Sequence, residues 1–327
     1  MVAEREPLVV LLTLVEGIPL PPQARRRGRP ARYSERLIVK ALVVMLVRRV
    51  WSVHGLLAVL DEPTAQMARV RTHLRDAQGR CPSRRTWERR LKRLAGILPL
   101  LIALLGAWLA RRLDPWPRGG RAAAIDSTVV RARGGVWHKK HREAGEVPHT
   151  SIDTEAGWTK SGWHGWVYGW KLHLVVTVSE YVWLPLAADL TPANVADNEH
   201  APALLTGLPA EITAILGDTH YSDPTLTALV AANGRILITT QRGRYPHTDP
   251  GVEVRRLFHQ LRSHAIENFN GQFKTLFDCL GAVPTRGVIP TRLFALGGVL
   301  LYQIMLWYRA IADHDLRQGL KPFLRSA

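Results

Sequence analysis

Three carboxylates stand out by their surroundings. Asp126 lies inside the apolar run Ala122–Val130, Asp218 ends a second apolar run that begins at Ala214, and Glu267 borders a helical face marked by Ile266, Phe269, Phe273 and Phe277. A carboxylate inside an apolar strand is costly unless a cation or a donor meets it. The C-terminal edge of sheet strands, where Asp218 would stand, is where open α/β folds place their ligands. Brought together by a fold, the three would suit two-metal phosphoryl transfer. There, carboxylates converge on two Mg²⁺ ions roughly 4 Å apart, one activating the attacking oxygen and the other the leaving oxygen. Taken singly, each has a plainer reading: Asp126 as the partner of an Arg, Asp218 as a cap or turn residue, Glu267 as a solvated side chain.

Other site chemistries find less support. The two cysteines, Cys81 and Cys279, are far apart and lack a CxxC partner, which argues against a zinc finger or a disulfide framework and fits a reducing cytosol. His138 and His141 are three apart, but Lys139 and Lys140 lie between them, and a basic DNA-facing loop is the preferred reading.

The elements that must position these residues fall into two textures. Residues 31 to about 113 are helical in pattern, with helices expected over Ser34–Val50, Ser52–Asp61, Ser83–Leu94 and Leu94–Arg112. A breaker-rich linker runs from Asp114 to Gly120. Strands are then expected over Arg121–Val130, Trp166–Val178 and Tyr181–Ala188, a helix over Val195–Thr206 and a strand over Glu211–Leu216. A helix over Pro224–Ala232, a strand over Arg235–Thr240, a helix over Val254–Leu276 and further helical pattern complete the chain. The fold class is therefore α/β, a mixed sheet covered by helices. The division expected is 1–117, an all-helical region, and 118–327, the mixed sheet with C-terminal helices. Two long apolar stretches, Leu94–Ala110 and Leu293–Ala312, read as buried helices because one contains Pro99 and the other Gln303 and Arg309.

Among 327 residues, 44 are Lys or Arg against 27 Asp or Glu, a net charge of +17 that points to an anionic partner, most commonly nucleic acid. With 46% hydrophobic residues the chain can bury a substantial core, which excludes a disordered tail.

Several segments resemble the DDE transposases of the insertion sequence four and five superfamily. Gly169-Trp170-Lys171-Leu172-His173 is similar to their G-[YW]-K-L-H strand, and Leu190–Asp197 to their L-T-P-A-N-x-x-D segment. These follow a D-x-T strand, Asp126-Ser127-Thr128, and precede a D-x-x-Y element, Asp218–Tyr221. The closing signature is an Ile–Glu pair, an aromatic, and a Lys with six residues between it and the Glu, here Ile266, Glu267, Phe269 and Lys274. The order holds from Arg121 to Lys274. One departure exists: the family often carries an Arg four residues before the Glu and a Tyr three before that, positions filled here by Ser263 and Gln260, with Arg262 adjacent.

The resemblance implies a ribonuclease H-like core in which Asp126, Asp218 and Glu267 hold two Mg²⁺ ions, with Mn²⁺ as an alternative. It implies a soluble, cytoplasmic enzyme, with no membrane association, that cuts and rejoins double-stranded DNA at inverted-repeat ends and in target DNA, as a homodimer on DNA. Lys274, Arg262 and Lys171 are the expected DNA contacts around the catalytic site. Elsewhere Arg27 and Arg29 form a basic hook or linker, Arg85, Arg89 and Arg90 lie on a candidate recognition helix, and Lys139 and Lys140 on the basic loop. Trp158, Trp163, Trp166 and Trp170 are core residues or stacking surfaces for unpaired bases. The rival is a DNA-binding protein without catalysis, a decayed or domesticated copy that occupies the repeats.

Overall fold

In the computed structural model the residues described are 6–21, 32–116, 121–162, 165–239 and 251–325. The helices α1 (Pro7–Leu14), α2 (Glu35–Val47), α3 (Val53–Leu60), α4 (Ala65–His73) and α5 (Arg84–Leu113) come first. They are followed by β1 (Ala122–Arg131), α6 (Lys139–Glu143), β2 (Gly157–Ser161), β3 (Gly165–Thr177) and β4 (Pro185–Pro192). Then come α7 (Asp197–Leu205), β5 (Ala214–Gly217), α8 (Pro224–Ala232), β6 (Ile236–Thr239), α9 (Gly251–Leu276), α10 (Val288–Ile311) and α11 (Lys321–Arg325).

Local chemistry sets the early helix starts. Ser34, Ser52 and Thr64 each accept a hydrogen bond from a backbone N–H three residues on, satisfying a donor that the first turn leaves free. The two helices expected to meet at Leu94 are one, α5, which runs on through Pro99.

Two compact units result, and they do not divide at the linker. One comprises residues 1–105 with 284–327, the other residues 106–283. The C-terminal helices expected with the sheet thus pack with the N-terminal ones, because α10 is apolar nearly all round and needs more cover than one face. In the first unit α10 packs against α1 and α2, and the Cβ that Gly297 lacks would lie 3.0 Å from Leu42. Both α5 and α10 are long and apolar enough to cross a membrane. The polar residues of α10 are satisfied internally, however: Gln303 donates to the Ile102 carbonyl at 2.9 Å, and Arg309 donates to the carbonyls of Asp315, Gln318 and Gly319.

The second unit is built on a six-stranded mixed sheet. β1 lies between β3, antiparallel to it, and β5, parallel to it, and β6 continues parallel beyond β5. The far edge of β3 is shared by β2, opposite residues 165–169, and β4, opposite 170–176. From Val167 to Thr177 every residue of β3 is buried, as expected of a strand covered on both faces. Strand parity shows which helix covers which face. Directly paired residues project to one side, so Asp126 and Leu174 share a face, while Val129, Lys171 and His173 share the other. α9 reaches Asp126 and α7 reaches Lys171 and His173, so the two helices lie on opposite faces.

Candidate active site

Register brings the two aspartates together. Ala124 of β1 pairs with Leu216 of the parallel β5, and Asp126 and Asp218 each lie two residues beyond that pair. β5 ends at Gly217, so Asp218 opens the turn, its carboxylate accepting from the His220 N–H at 2.9 Å as well as facing the site. The capping role and the site role coexist in one side chain.

α9 supplies the cation that meets them. Its buried stripe runs through Phe258, Ile266, Phe269 and Phe273, and Arg262 stands midway between Phe258 and Ile266 at four-residue spacing. The helix therefore points Arg262 at the sheet, where one terminal nitrogen lies 2.8 Å from Asp126 Oδ2 and 3.8 Å from Asp218 Oδ2. The other oxygen of Asp126 accepts from the Ser127 N–H at 2.9 Å. Burial pushes Asp126 up to about 6; Arg262 opposes that rise, and the like charge of Asp218 adds to it. The Tyr221 hydroxyl is buried nearby without a hydrogen-bond partner among the described residues, and burial holds its pKa well above the ordinary value. Gly217 makes room for that ring: a Cβ there would come within 2.9 Å of Tyr221 Cβ.

Two converging carboxylates with an unsatisfied phenol beside them form an all-oxygen donor set, the kind that suits a hard divalent cation. Glu267 is exposed and lies five residues beyond Arg262 on α9. Among the described residues no three His, Cys, Asp or Glu side chains converge as a metal site. The structure thus brings Asp126, Asp218 and Arg262 together and leaves Glu267 outside the cluster. The sequence signal for Arg262 was present in its four-residue spacing from Phe258 and Ile266.

The opposite face of the sheet carries a second polar cluster, made from the motif residues. Lys171, expected to touch DNA, is buried; its ammonium donates to the Val195 carbonyl at 2.9 Å and pairs with Asp197 at 3.2 Å. His173 is fully buried, with Nε2 2.8 Å from Thr191 Oγ1 and its ring 4.6 Å from that of His200, which pairs with Asp189 at 3.1 Å. Burial, then the neighbouring His200, lowers His173 to about 4, so it is neutral at pH 7. These residues tie β3 and β4 to the start of α7. Lys171→Met is expected to cost about 3 kcal/mol, the order found when one partner of a buried pair is removed. Denaturant melts would measure it, and the salt dependence of DNA affinity would check the correction. An unchanged slope supports an internal lysine, and a slope smaller by about one would return Lys171 to the phosphate backbone.

Arg90 is likewise internal rather than DNA-facing, with its guanidinium 3.2 Å from Glu35 and donating to the Tyr33 carbonyl. Arg85 and Arg89 remain exposed on α5, as do Lys139 and Lys140 on α6. Lys274 is half-buried beside Cys279, and burial lowers its pKa. Arg27 and Arg29 lie outside the described residues. Of the tryptophans, Trp170 is buried, Trp158 is half-buried with its indole N–H on the Trp137 carbonyl, Trp166 is 66% exposed opposite Lys160, and Trp163 lies outside the described residues.

A ribonuclease H-like sheet that sets one aspartate within β1 beside another just past the end of the parallel β5 defines the class. Residues 117–302, more than half of the chain, match the family model described as "Transposase DDE domain", and the chain belongs to that family. Transposition, a form of DNA recombination, is the activity of the family, and DNA is its partner. A comparison with curated proteins finds no match.

Proposed function

We propose that this chain is a two-metal transposase that cuts DNA at the ends of an insertion sequence and joins the freed ends to target DNA. The observation that carries this reading is the convergence of Asp126 and Asp218 on one guanidinium nitrogen, in a chain of the DDE family. In this reading Asp126, Asp218 and Glu267 hold two Mg²⁺ ions, Mn²⁺ being an alternative, and Glu267 joins the pair through a change of side-chain position on α9. The ions, once bound, would supply charge neutralisation and activation of the attacking oxygen. The chain's own contribution is positioning and electrostatics: β1, the turn after β5 and α9 hold the acceptors, and the buried setting strengthens every charge interaction within it.

Arg27, Arg29, Arg85, Arg89, Lys139, Lys140 and Lys274 are proposed to meet the phosphate backbone. The net charge of +17 supports that, since each neutralised phosphate releases counterions. A cytoplasmic homodimer assembled on paired ends is part of the proposal, because transposition handles two ends at once.

The test is cleavage of DNA carrying the element's inverted repeats, with Mg²⁺, by the wild type and by Glu267→Gln. Wild-type nicking that falls on the order of 10²–10³-fold in the variant is the expected result, the scale of losing a group that stabilises developing charge. Equal DNA binding by both proteins without cutting by either would mark the chain as a non-catalytic occupant of the repeats.

A further inference from the structure

Arg262 stands where the carboxylate pair needs positive charge, and it does so at short range. One of its terminal nitrogens faces both Asp126 and Asp218, at 2.8 and 3.8 Å, and its side chain is 11% exposed. Its place is dictated by α9, since Phe258 and Ile266, one turn to either side, are both buried. The guanidinium is nevertheless incompletely used. Its Nε is buried and donates to no partner among the described residues, an expensive state for a charged donor. A planar fork with a free donor is suited to the bidentate geometry of a phosphate.

We propose that Arg262 is a resident counter-ion of this site that competes with divalent cations for Asp126 and Asp218 and changes partner when DNA arrives. The inference rests on the reading of these aspartates as metal ligands. In the free protein the guanidinium offsets one of the two like charges and occupies the space between them, so a cation entering must displace it. A DNA phosphate offers the guanidinium a new anionic partner and releases both carboxylates. Binding of DNA and binding of metal then reinforce each other, and by linkage each tightens the other by the same factor. The family's usual Arg falls at position 263, here Ser263, so Arg262 is turned about 100° around the helix from that site. That turn is what places it on the buried stripe.

The test is calorimetric titration of Ca²⁺, a hard oxygen-seeking cation, into the full chain at pH 8, with and without a short DNA duplex, for the wild type, Arg262→Gln and Arg262→Lys. Free Arg262→Gln is expected to bind Ca²⁺ about tenfold more tightly than the free wild type, within the range of ordinary coupling. The duplex is expected to raise wild-type affinity by a larger factor than it raises that of Arg262→Gln. Arg262→Lys keeps the charge and is expected to bind like the wild type when free, which separates competition from loss of fold should Arg262→Gln melt. Equal or weaker Ca²⁺ binding by free Arg262→Gln would overturn the proposal, as would tenfold tighter binding by free Arg262→Lys. Asp126→Asn reports on the underlying reading: Ca²⁺ binding that survives this substitution undiminished removes the metal-ligand assignment itself, and the competition with it.

Discussion

Asp126→Asn is expected to abolish DNA cutting while making the free protein more stable at neutral pH. The physical reason is the raised carboxyl, at about 6 against an ordinary 3.8, with burial as the first cause. A folded value above the unfolded one means that the protonated acid favours the fold. That contribution is complete below about pH 4 and is lost as pH rises to about 6. At pH 7 the ionised carboxylate weighs against folding by up to about 3 kcal/mol, at 1.36 kcal/mol per pH unit. Asparagine cannot ionise, and its single carbonyl oxygen can accept from either the Ser127 N–H or Arg262, which use different oxygens of the aspartate. Urea melts at pH 4.5 and 7.5 are expected to place the variant up to about 3 kcal/mol above the wild type at the higher pH and about 1 kcal/mol or less above it at the lower. A variant less stable than the wild type at pH 7.5 would mean that the ion pair with Arg262 outweighs the burial of the charge. The expected trade of stability against activity is ordinary for a site that concentrates like charges.

Gly169→Ala is expected to be the most damaging single-methyl change in the sheet. A Cβ at this position would lie 2.1 Å from the Val130 carbonyl oxygen, 3.0 Å from the Ala132 nitrogen and 3.0 Å from Arg131 Cα. All three are backbone atoms of β1 or the residue that follows it, so no side-chain rotation relieves the clash, and β1 and β3 must separate. Because β1 carries Asp126, the separation reaches the site as well as the core. A cost of about 3 kcal/mol or more is expected, at the upper end of overpacking effects. Gly96→Ala is the control. Gly96 lies within α5 with nothing near its missing Cβ, and alanine there is expected to stabilise by up to about 1 kcal/mol. A Gly169→Ala midpoint within 1 kcal/mol of the wild type would show that this end of the β1–β3 pairing yields easily.

The initial Gly of G-W-K-L-H is therefore a packing requirement, and the same holds for Gly157, whose added Cβ would lie 2.0 Å from Asn194 Oδ1 in the L-T-P-A-N segment. The G-W-K-L-H and L-T-P-A-N-x-x-D motifs turn out to build the scaffold behind the site. Lys171, His173 and Thr191 face away from Asp126, across the sheet.

Much of this was legible in the sequence, and the reason is local. Apolar runs around Asp126 and before Asp218 marked β1 and β5 because a strand buried on both faces must be apolar throughout. The side-chain cap at Ser34 marked a helix start because that residue acts on the nearest backbone groups. The order of motifs was enough to recover the family and its mixed sheet. What local pattern does not carry is which distant surface covers each face. The burial of Lys171 and Arg90 depended on Asp197, 26 residues away, and on Glu35, 55 residues away. The pairing of α10 with α1 and α2 joined chain segments on either side of the whole sheet unit. The meeting of Asp126, Asp218 and Arg262 was likewise decided by strand register and by the seating of α9. A charge in the sequence reads as solvent-facing or DNA-facing by default, and only tertiary packing determines when an opposite charge has been placed within reach.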